Sequence, residues 1–346
     1  MNETNRDVRA TQRDKISDTK RREFVKHTSN LALAGVAVGA VGAISGISPL
    51  LAKETKNAKK GANMQTIKLS NGVKMPILGY GTYQIPNNQA QRCVEDAISV
   101  GYRLIDTAQA YANEEAIGAG LKTAINGGVK REDLFIETKL WISHANEKDA
   151  LKAFDASLKK LGLDYIDLYL IHQPFNDIYG AWRAMGKLHK EGKIRAIGVS
   201  NFYADKITDF CLFNDIKPAV NQIEMHPFFQ KTSEQKINND LGVAVQSWGS
   251  FAEGKNDMFN NKVLKSIGDK YCKTPAQVIL RWLIERNVIV IPKTTRKARM
   301  EENIAVFDFK LNADDRAKIA KLDTGKTLFL DHRDPQTINF LANYKA

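Results

Sequence analysis

Cysteine is scarce. The 346-residue chain has only Cys93, Cys211 and Cys272, far apart and without a C-x-x-C pair. That excludes a disulfide framework and a cysteine zinc site, and three buried, small apolar side chains are expected instead. Histidine is also sparse, with six residues, and no pair has the H-x-H or His/Asp spacing of a metal site. His226, beside Pro227, reads as structural, whereas His27, His144, His189 and His332 read as solvated. A block of like charge is missing from residues 64–346, which excludes a dedicated nucleic-acid binder. The dinucleotide fingerprint G-x-G-x-x-G is absent as well. Gly79-Tyr80-Gly81 is followed by Gln84 where the third glycine belongs, and Gly118-Ala119-Gly120 by Thr123, inside a helical stretch.

The charge that is present is unevenly spread. Of 51 Lys/Arg and 39 Asp/Glu, a net +12, residues 1–63 hold 12 and 6, half of the excess. Lys20-Arg21-Arg22-Glu23-Phe24-Val25-Lys26 precedes an uncharged stretch, 28–52, rich in Ala, Gly, Val and Ser. Charged region, mild apolar region and small-residue zone follow one another as in an export signal. The paired arginines resemble the twin-arginine translocation signal, a route for folded proteins. Cleavage is expected near Ala52, with the translocation machinery as partner and a periplasmic location. The segment is also long enough for a membrane anchor, with Gly35/Gly39 and Gly42/Gly46 at helix-packing spacing. A start at Met64 would instead leave the protein cytoplasmic. Residues 64–346 show no linker or composition break and are expected to form one domain, as a monomer.

With 43% hydrophobic residues in the chain, that body can build a sizeable core. Ser70-Asn71-Gly72, between the apolar runs 66–69 and 73–78, predicts a hairpin. Eight short apolar strands then alternate with amphipathic helices. The strands are read at 78–82, 103–107, 134–139, 166–172, 196–200, 219–223, 244–247 and 288–292. Helices are read at 90–100, 147–161, 179–191 and 275–285, with a last one at 313–322. Nearly continuous apolar strands argue a parallel sheet buried on both faces. Eight units in about 250 residues fit a closed (β/α)8 TIM barrel of the α/β class, preceded by a short N-terminal hairpin. An open doubly wound sheet is the rival, and the missing fingerprint counts against it.

Barrel chemistry sits at the carboxyl ends of the strands. Those ends carry Tyr83, Asp106, Lys139, His172, Ser200-Asn201, Gln222, Trp248 and Lys293, with Tyr111 five residues past Asp106. A free phenol has a pKa near about 10, and a neighbouring ammonium is expected to pull it down. Asp106 would hold Lys139 charged, Lys139 would tune Tyr111, and Tyr111 would give a proton to a developing alkoxide while His172 orients the carbonyl. With no activated serine or cysteine, a nicotinamide hydride is the natural nucleophile.

Gly101-Tyr102-Arg103-Leu104-Ile105-Asp106-Thr107-Ala108, followed by Tyr111, Glu114 and Ile117-Gly118, resembles the signature of the aldo-keto reductases. Leu168-Tyr169-Leu170-Ile171-His172, Gly198-Val199-Ser200-Asn201-Phe202, Asn221-Gln222-Ile223-Glu224 and Ile291-Pro292-Lys293 are similar to that family too, in the right order. The resemblance covers about residues 66–323 and points to bacterial, diketogluconate-reductase-like members. It implies NADP(H) as cofactor, a small carbonyl compound as substrate, and a catalytic tetrad of Asp106, Tyr111, Lys139 and His172. It also implies that Ser200, Asn201 and Gln222 bind the nicotinamide amide, that Trp248 stacks on its ring, and that Gly81, Thr82 and Asp106 line the same site. Lys293, Thr294 and Arg299 match the cradle of the 2′-phosphate, Asn303 the adenine contact, and Tyr83 and Trp141 the pocket walls. No metal is implied.

The chain departs from the family pattern in places. Gln173 stands where Trp is common, and only Phe175–Ile178 separates it from the next helix, so an open, permissive pocket is expected. Ser250 stands where Pro usually follows the stacking aromatic. Residues 328–341 resemble a C-terminal substrate loop. Two other classes compete: a lyase forming a Schiff base on Lys139, and a cofactor-binding, redox-sensing module of a membrane partner.

Overall fold

Ser70-Asn71-Gly72 folds the chain back on itself. Strand β1 (Thr66–Lys68) pairs antiparallel with β2 (Lys74–Pro76), and Gly72 turns at φ +87°, a value that L side chains rarely adopt. The computed structural model describes residues 65–344, which belong to one compact unit. The export or anchor segment expected in residues 1–63 lies outside the described residues.

Eight parallel strands follow, each paired with the next in chain order. They are β3 (Tyr80–Gly81), β4 (Leu104–Asp106), β5 (Phe135–Leu140), β6 (Ile166–Ile171), β7 (Ile194–Ser200), β8 (Val220–Glu224), β9 (Ala244–Trp248) and β10 (Ile289–Val290). A parallel bridge between Leu78 and Val290 joins the two ends of the sheet, with Gly79 N donating to Val290 O at 2.8 Å. The result is a TIM-barrel-like fold. The two strands at this seam are shorter than their apolar runs, because Leu78 pairs across it only by the isolated bridge.

Helices pack outside. α1 (Asn87–Val100), α2 (Glu114–Asn126), α3 (Glu147–Leu161), α4 (Ile178–Lys190), α5 (Ala204–Leu212), α6 (Thr232–Asp240), α7 (Lys262–Tyr271) and α8 (Pro275–Glu285) lie between strands. After β10 come α9 (Lys297–Ile304), α10 (Ala313–Ala320) and α11 (Pro335–Asn343). α3 and α8 start where the sequence places them because their caps are strong. Asn146 accepts from Asp149 N, and Thr274–Gln277 form a capping box with Pro275 in the first turn. Residues 328–341, expected as a loop, contain most of α11. Among the described residues no helix is long and apolar enough to cross a membrane.

Two apolar regions follow from strand alternation. Outward residues such as Ile105, Ile136, Leu140, Tyr169 and Ile171 pack with the helices. Leu104, Phe135, Leu168, Ala196 and Val220 cluster with Leu69 and Met75 of the hairpin. Asn71 Nδ2 also donates to Arg195 O at the start of β7, at 3.0 Å. The hairpin therefore closes the amino end of the barrel and leaves chemistry to the other. Cys93 and Cys211 are buried as expected, but Cys272 is exposed, ending α7 in a left-handed conformation.

Candidate active site

The carboxyl ends of β4, β5 and β6 bring Asp106, Lys139 and His172 together, and a short 3-10 turn, Gln109–Tyr111, swings Tyr111 over them. That turn is pinned on both sides. Asn113 donates to Thr82 O at 2.9 Å and its Oδ1 accepts from Thr107, while Gln109 Oε1 accepts from Trp141 N at 3.1 Å. The chain leaves it through Ala112 at φ +53°.

Lys139 is fully buried. Its ammonium donates to Asp106 Oδ1, to Thr107 O at 2.9 Å and to the Tyr111 hydroxyl at 3.1 Å. Burial alone would discharge it, but the carboxylate of its ion-pair partner Asp106 opposes burial, and the net shift of its pKa is upward. All three N–H donors are spent and the nitrogen has no free lone pair, which argues against a Schiff base on this lysine.

Tyr111 corrects one expectation. Burial raises its phenol, and Lys139 only pulls part of that rise back, so the net shift is upward. The hydroxyl is therefore protonated at neutral pH, the form a proton donor needs. His172 is shifted the other way: burial, then Lys139 and His332, hold it well below the usual histidine range. It is a neutral imidazole, able to donate a hydrogen bond without carrying charge.

Around this centre stands an aromatic cup. The ring of Tyr111 lies 5.0 Å from Tyr83 and 5.7 Å from His172, and Trp141 lies 5.1 Å from His172. Tyr83 is 41% exposed, the open rim of the cup. The C-terminal tail closes the far side. Trp141 Nε1 donates to Tyr344 O at 3.1 Å, and Phe329 packs 5.2 Å from Trp248. His332, expected in solvent, is buried, with its Nε2 2.9 Å from Gln173 Oε1. The extra polar side chain at position 173 thus serves as the anchor point of the tail.

The groups expected to meet a cofactor form one continuous wall. Ser200 Oγ donates to Gln222 O at 2.9 Å, Asn201 Nδ2 donates to His172 O at 3.0 Å, and Trp248 Nε1 donates to Asn201 Oδ1 at 2.8 Å. The Trp248 indole is thereby held in a fixed plane. Gln222 Nε2 faces only acceptors, Asp106 Oδ1, Glu137 Oε1 and Gln246 Oε1 at 2.8–3.1 Å, which leaves its Oε1 as the atom able to accept an amide N–H. Thr82 Oγ1 donates to Asp106 O at 2.8 Å. A Cβ on Gly81 would come within 2.6 Å of Ile291 O, so only glycine fits there. Beyond β10, Lys293 and Arg299 are exposed, Thr294 is half-buried and Asn303 is buried near the end of α9. Among the described residues Arg299 pairs with half-buried Glu302, a weak surface contact.

The sequence reading missed Glu137, Gln246 and Asn113. Glu137 stands two residues before Lys139, so strand alternation alone puts both on the inner face. That signal was available. Gln246 and Asn113 act through partners on distant segments, which no local pattern announces.

An acid–ammonium–phenol–imidazole cluster at the strand ends of a barrel, beside a polar wall and a fixed indole, defines an oxidoreductase that works on carbonyl groups. Residues 77–324 match the Aldo/keto reductase family, and the chain belongs to it. It is 44% identical over 270 residues to the methylglyoxal reductase DkgA of Escherichia coli, covering 77% of this chain and 96% of that one. It is 44% identical over 260 residues to the glyoxal reductase of Bacillus subtilis, covering 75% and 92%. The crystal structure of the Bombyx mori aldo-keto reductase in complex with NADP superposes with a TM-score of 0.75 at 35% identity, covering 78% of this chain and 96% of that one. The protein is an NADP-dependent aldo-keto reductase.

Proposed function

We propose that the protein reduces small aldehydes, ketones and 1,2-dicarbonyls with NADPH, with Tyr111 as proton donor. The observation that carries this is the Lys139 ammonium, held by Asp106 and Thr107 O and donating to the Tyr111 hydroxyl at 3.1 Å. The cofactor, when bound, supplies the hydride. Tyr111 gives its proton to the carbonyl oxygen, and Lys139 stabilises the phenolate that remains. Asp106 keeps Lys139 charged. Neutral His172 donates a hydrogen bond to the same oxygen and orients the carbonyl. The residues present fit NADP(H): Gln222 offers an acceptor to the carboxamide, Trp248 a fixed ring face, Asn303 an adenine contact, and Lys293, Thr294 and Arg299 two cations and a hydroxyl for the 2′-phosphate. The aromatic cup of Tyr83, Trp141 and His172 suits a small, flat carbonyl compound, which agrees with the relatives named for methylglyoxal and glyoxal. Keto-sugars are the larger candidates through the open rim at Tyr83.

Tyr111→Phe tests the assignment. It should lower turnover by at least about a thousandfold, the upper range for a lost general acid, while NADPH still binds, as followed by fluorescence titration. Near-normal turnover in the variant would remove Tyr111 from the reaction.

For residues 1–63 we propose a twin-arginine export signal, cleaved near Ala52 or retained as an anchor. The support is the Arg21-Arg22 pair ahead of the uncharged stretch 28–52.

A further inference from the structure

Beneath the tetrad the barrel interior carries a polar layer of which the proposed reaction uses only Gln222. Glu137 is fully buried, as are Gln246 and Gln222 apart from a trace. Glu137 pairs in register with Asp106 on β4. Its Oε1 accepts from Gln222 Nε2 at 2.8 Å, and its Oε2 accepts from Gln246 Nε2 at 2.8 Å. The layer below is apolar, with Leu104, Phe135, Leu168 and Val220, and offers no counter-charge. The charged and titratable groups facing Glu137 are therefore Asp106 from β4 and Lys139 from its own strand, while β8 and β9 contribute only the two amides.

Charge counting settles the state of this cluster. Two ionised carboxylates against one ammonium would leave a net negative charge in the dry interior, which is strongly unfavourable. One proton removes it. We propose that Glu137 is a positioning residue that holds this proton against Asp106 and locks the Gln222 amide with its oxygen toward the cofactor's carboxamide. One nitrogen, Gln222 Nε2, meets both Asp106 Oδ1 at 3.0 Å and Glu137 Oε1 at 2.8 Å, which sets the two carboxyls side by side. Burial together with the negative charge of Asp106 raises Glu137 well above the usual carboxylate range. The orientation of Gln222 follows from its surroundings. Two carboxyl oxygens and an amide oxygen meet its nitrogen, so a flipped amide would set oxygen against oxygen. The inference rests on the NADPH-dependent reading for its ligand, but not for the proton itself.

Two readouts test it on the full chain. Infrared difference spectra between the native protein and Glu137→Gln at pH 7, in H2O and D2O, should show one protonated-carboxyl stretch in the native protein that the variant lacks. Absence of that band overturns the shared proton. It is read without cofactor or carbonyl compound, so it fails independently of the reductase assignment, which Tyr111→Phe decides. For the positioning role, Glu137→Gln keeps a donor toward Asp106 but only one of the two acceptor oxygens, and should weaken NADPH binding by less than Glu137→Met does. Glu137→Met removes one of the three acceptors that hold the Gln222 amide, together with the acceptor of the Gln246 amide, and should weaken NADPH binding by about tenfold, the worth of one lost hydrogen bond. Unchanged NADPH affinity in a folded Glu137→Met protein, or equal losses in both variants, overturns positioning. If Glu137→Met does not fold, Gln246→Met removes the second hold on the carboxyl and must reproduce the cofactor loss, or the role is overturned.

Discussion

At the residue scale, polar groups buried at strand ends carried most of the site in the sequence. Asp106 and His172 each end an apolar run and Lys139 stands near the end of a buried strand, positions unusual enough for charged or titratable side chains to read without a structure. Tyr111 was read from its place five residues past Asp106, but the turn that carries it is defined by Asn113 and Gln109 bonding to other segments. The same scale governs cofactor choice. Lys293 and Arg299 are exposed, and the Arg299–Glu302 pair is a surface pair that costs little to break. Replacing both cations by alanine should weaken NADPH by about a hundredfold or more, two charge-assisted contacts, and leave NADH within about threefold. Parallel measurement of both dissociation constants checks this, and equal losses would take the 2′-phosphate away from these residues.

At the element scale, the C-terminal tail is the part the sequence described least well. It reads as a loop of unknown course, yet α11 and its approach strap one side of the cup through Phe329, His332 and Tyr344. His332 joins Gln173 across 159 residues of chain, a contact invisible to any local pattern, and its single polar side chain misled the reading toward solvent. Its surroundings are Gln173, Phe175 and Tyr203, with Glu224, Asp331 and Lys231 as the charged neighbours. Burial lowers it to about 4 from an ordinary 6.5, against the pull of Glu224 and Asp331. Between those values the released tail binds more protons than the docked one, so docking strengthens as pH rises. The contribution is complete above the ordinary value and is lost as pH falls through the lowered one, at most ~3 kcal/mol. Acidification over this window should therefore loosen the tail, seen as a change in tryptophan fluorescence from Trp141 and Trp248. His332→Phe should flatten that response, and an unchanged acid transition in the variant would assign it to other groups.

At the scale of the whole molecule, alternation of apolar strands and amphipathic helices made the barrel legible, and the hairpin was announced by Asn71-Gly72. Strands β3 and β10 came out shorter than read, because a closed ring shares its seam through one bridge. The other whole-molecule question is where the protein works. If the twin-arginine reading is right, exchanging Arg21 and Arg22 for lysine should hold the protein in the cytoplasm, and the native chain should be exported. Cell fractionation with immunoblotting distinguishes the two, and export of the doubly substituted chain would dismiss the twin-arginine reading.

Sequence alone determined the fold class and the order of the strands, pointed to the proposed tetrad, and implied the cofactor type through the family resemblance. Hydrophobic periodicity and strand-end chemistry are local properties, and they survive in one dimension. Tertiary structure decided the protonation states and the second layer. Whether Tyr111 is pushed up or down depends on the balance of burial against a single ammonium, and that balance exists only once strands have closed around it. The same holds for Glu137. Its neighbour Lys139 is two residues away, but the carboxyl and amides that fix its state arrive from β4, β8 and β9.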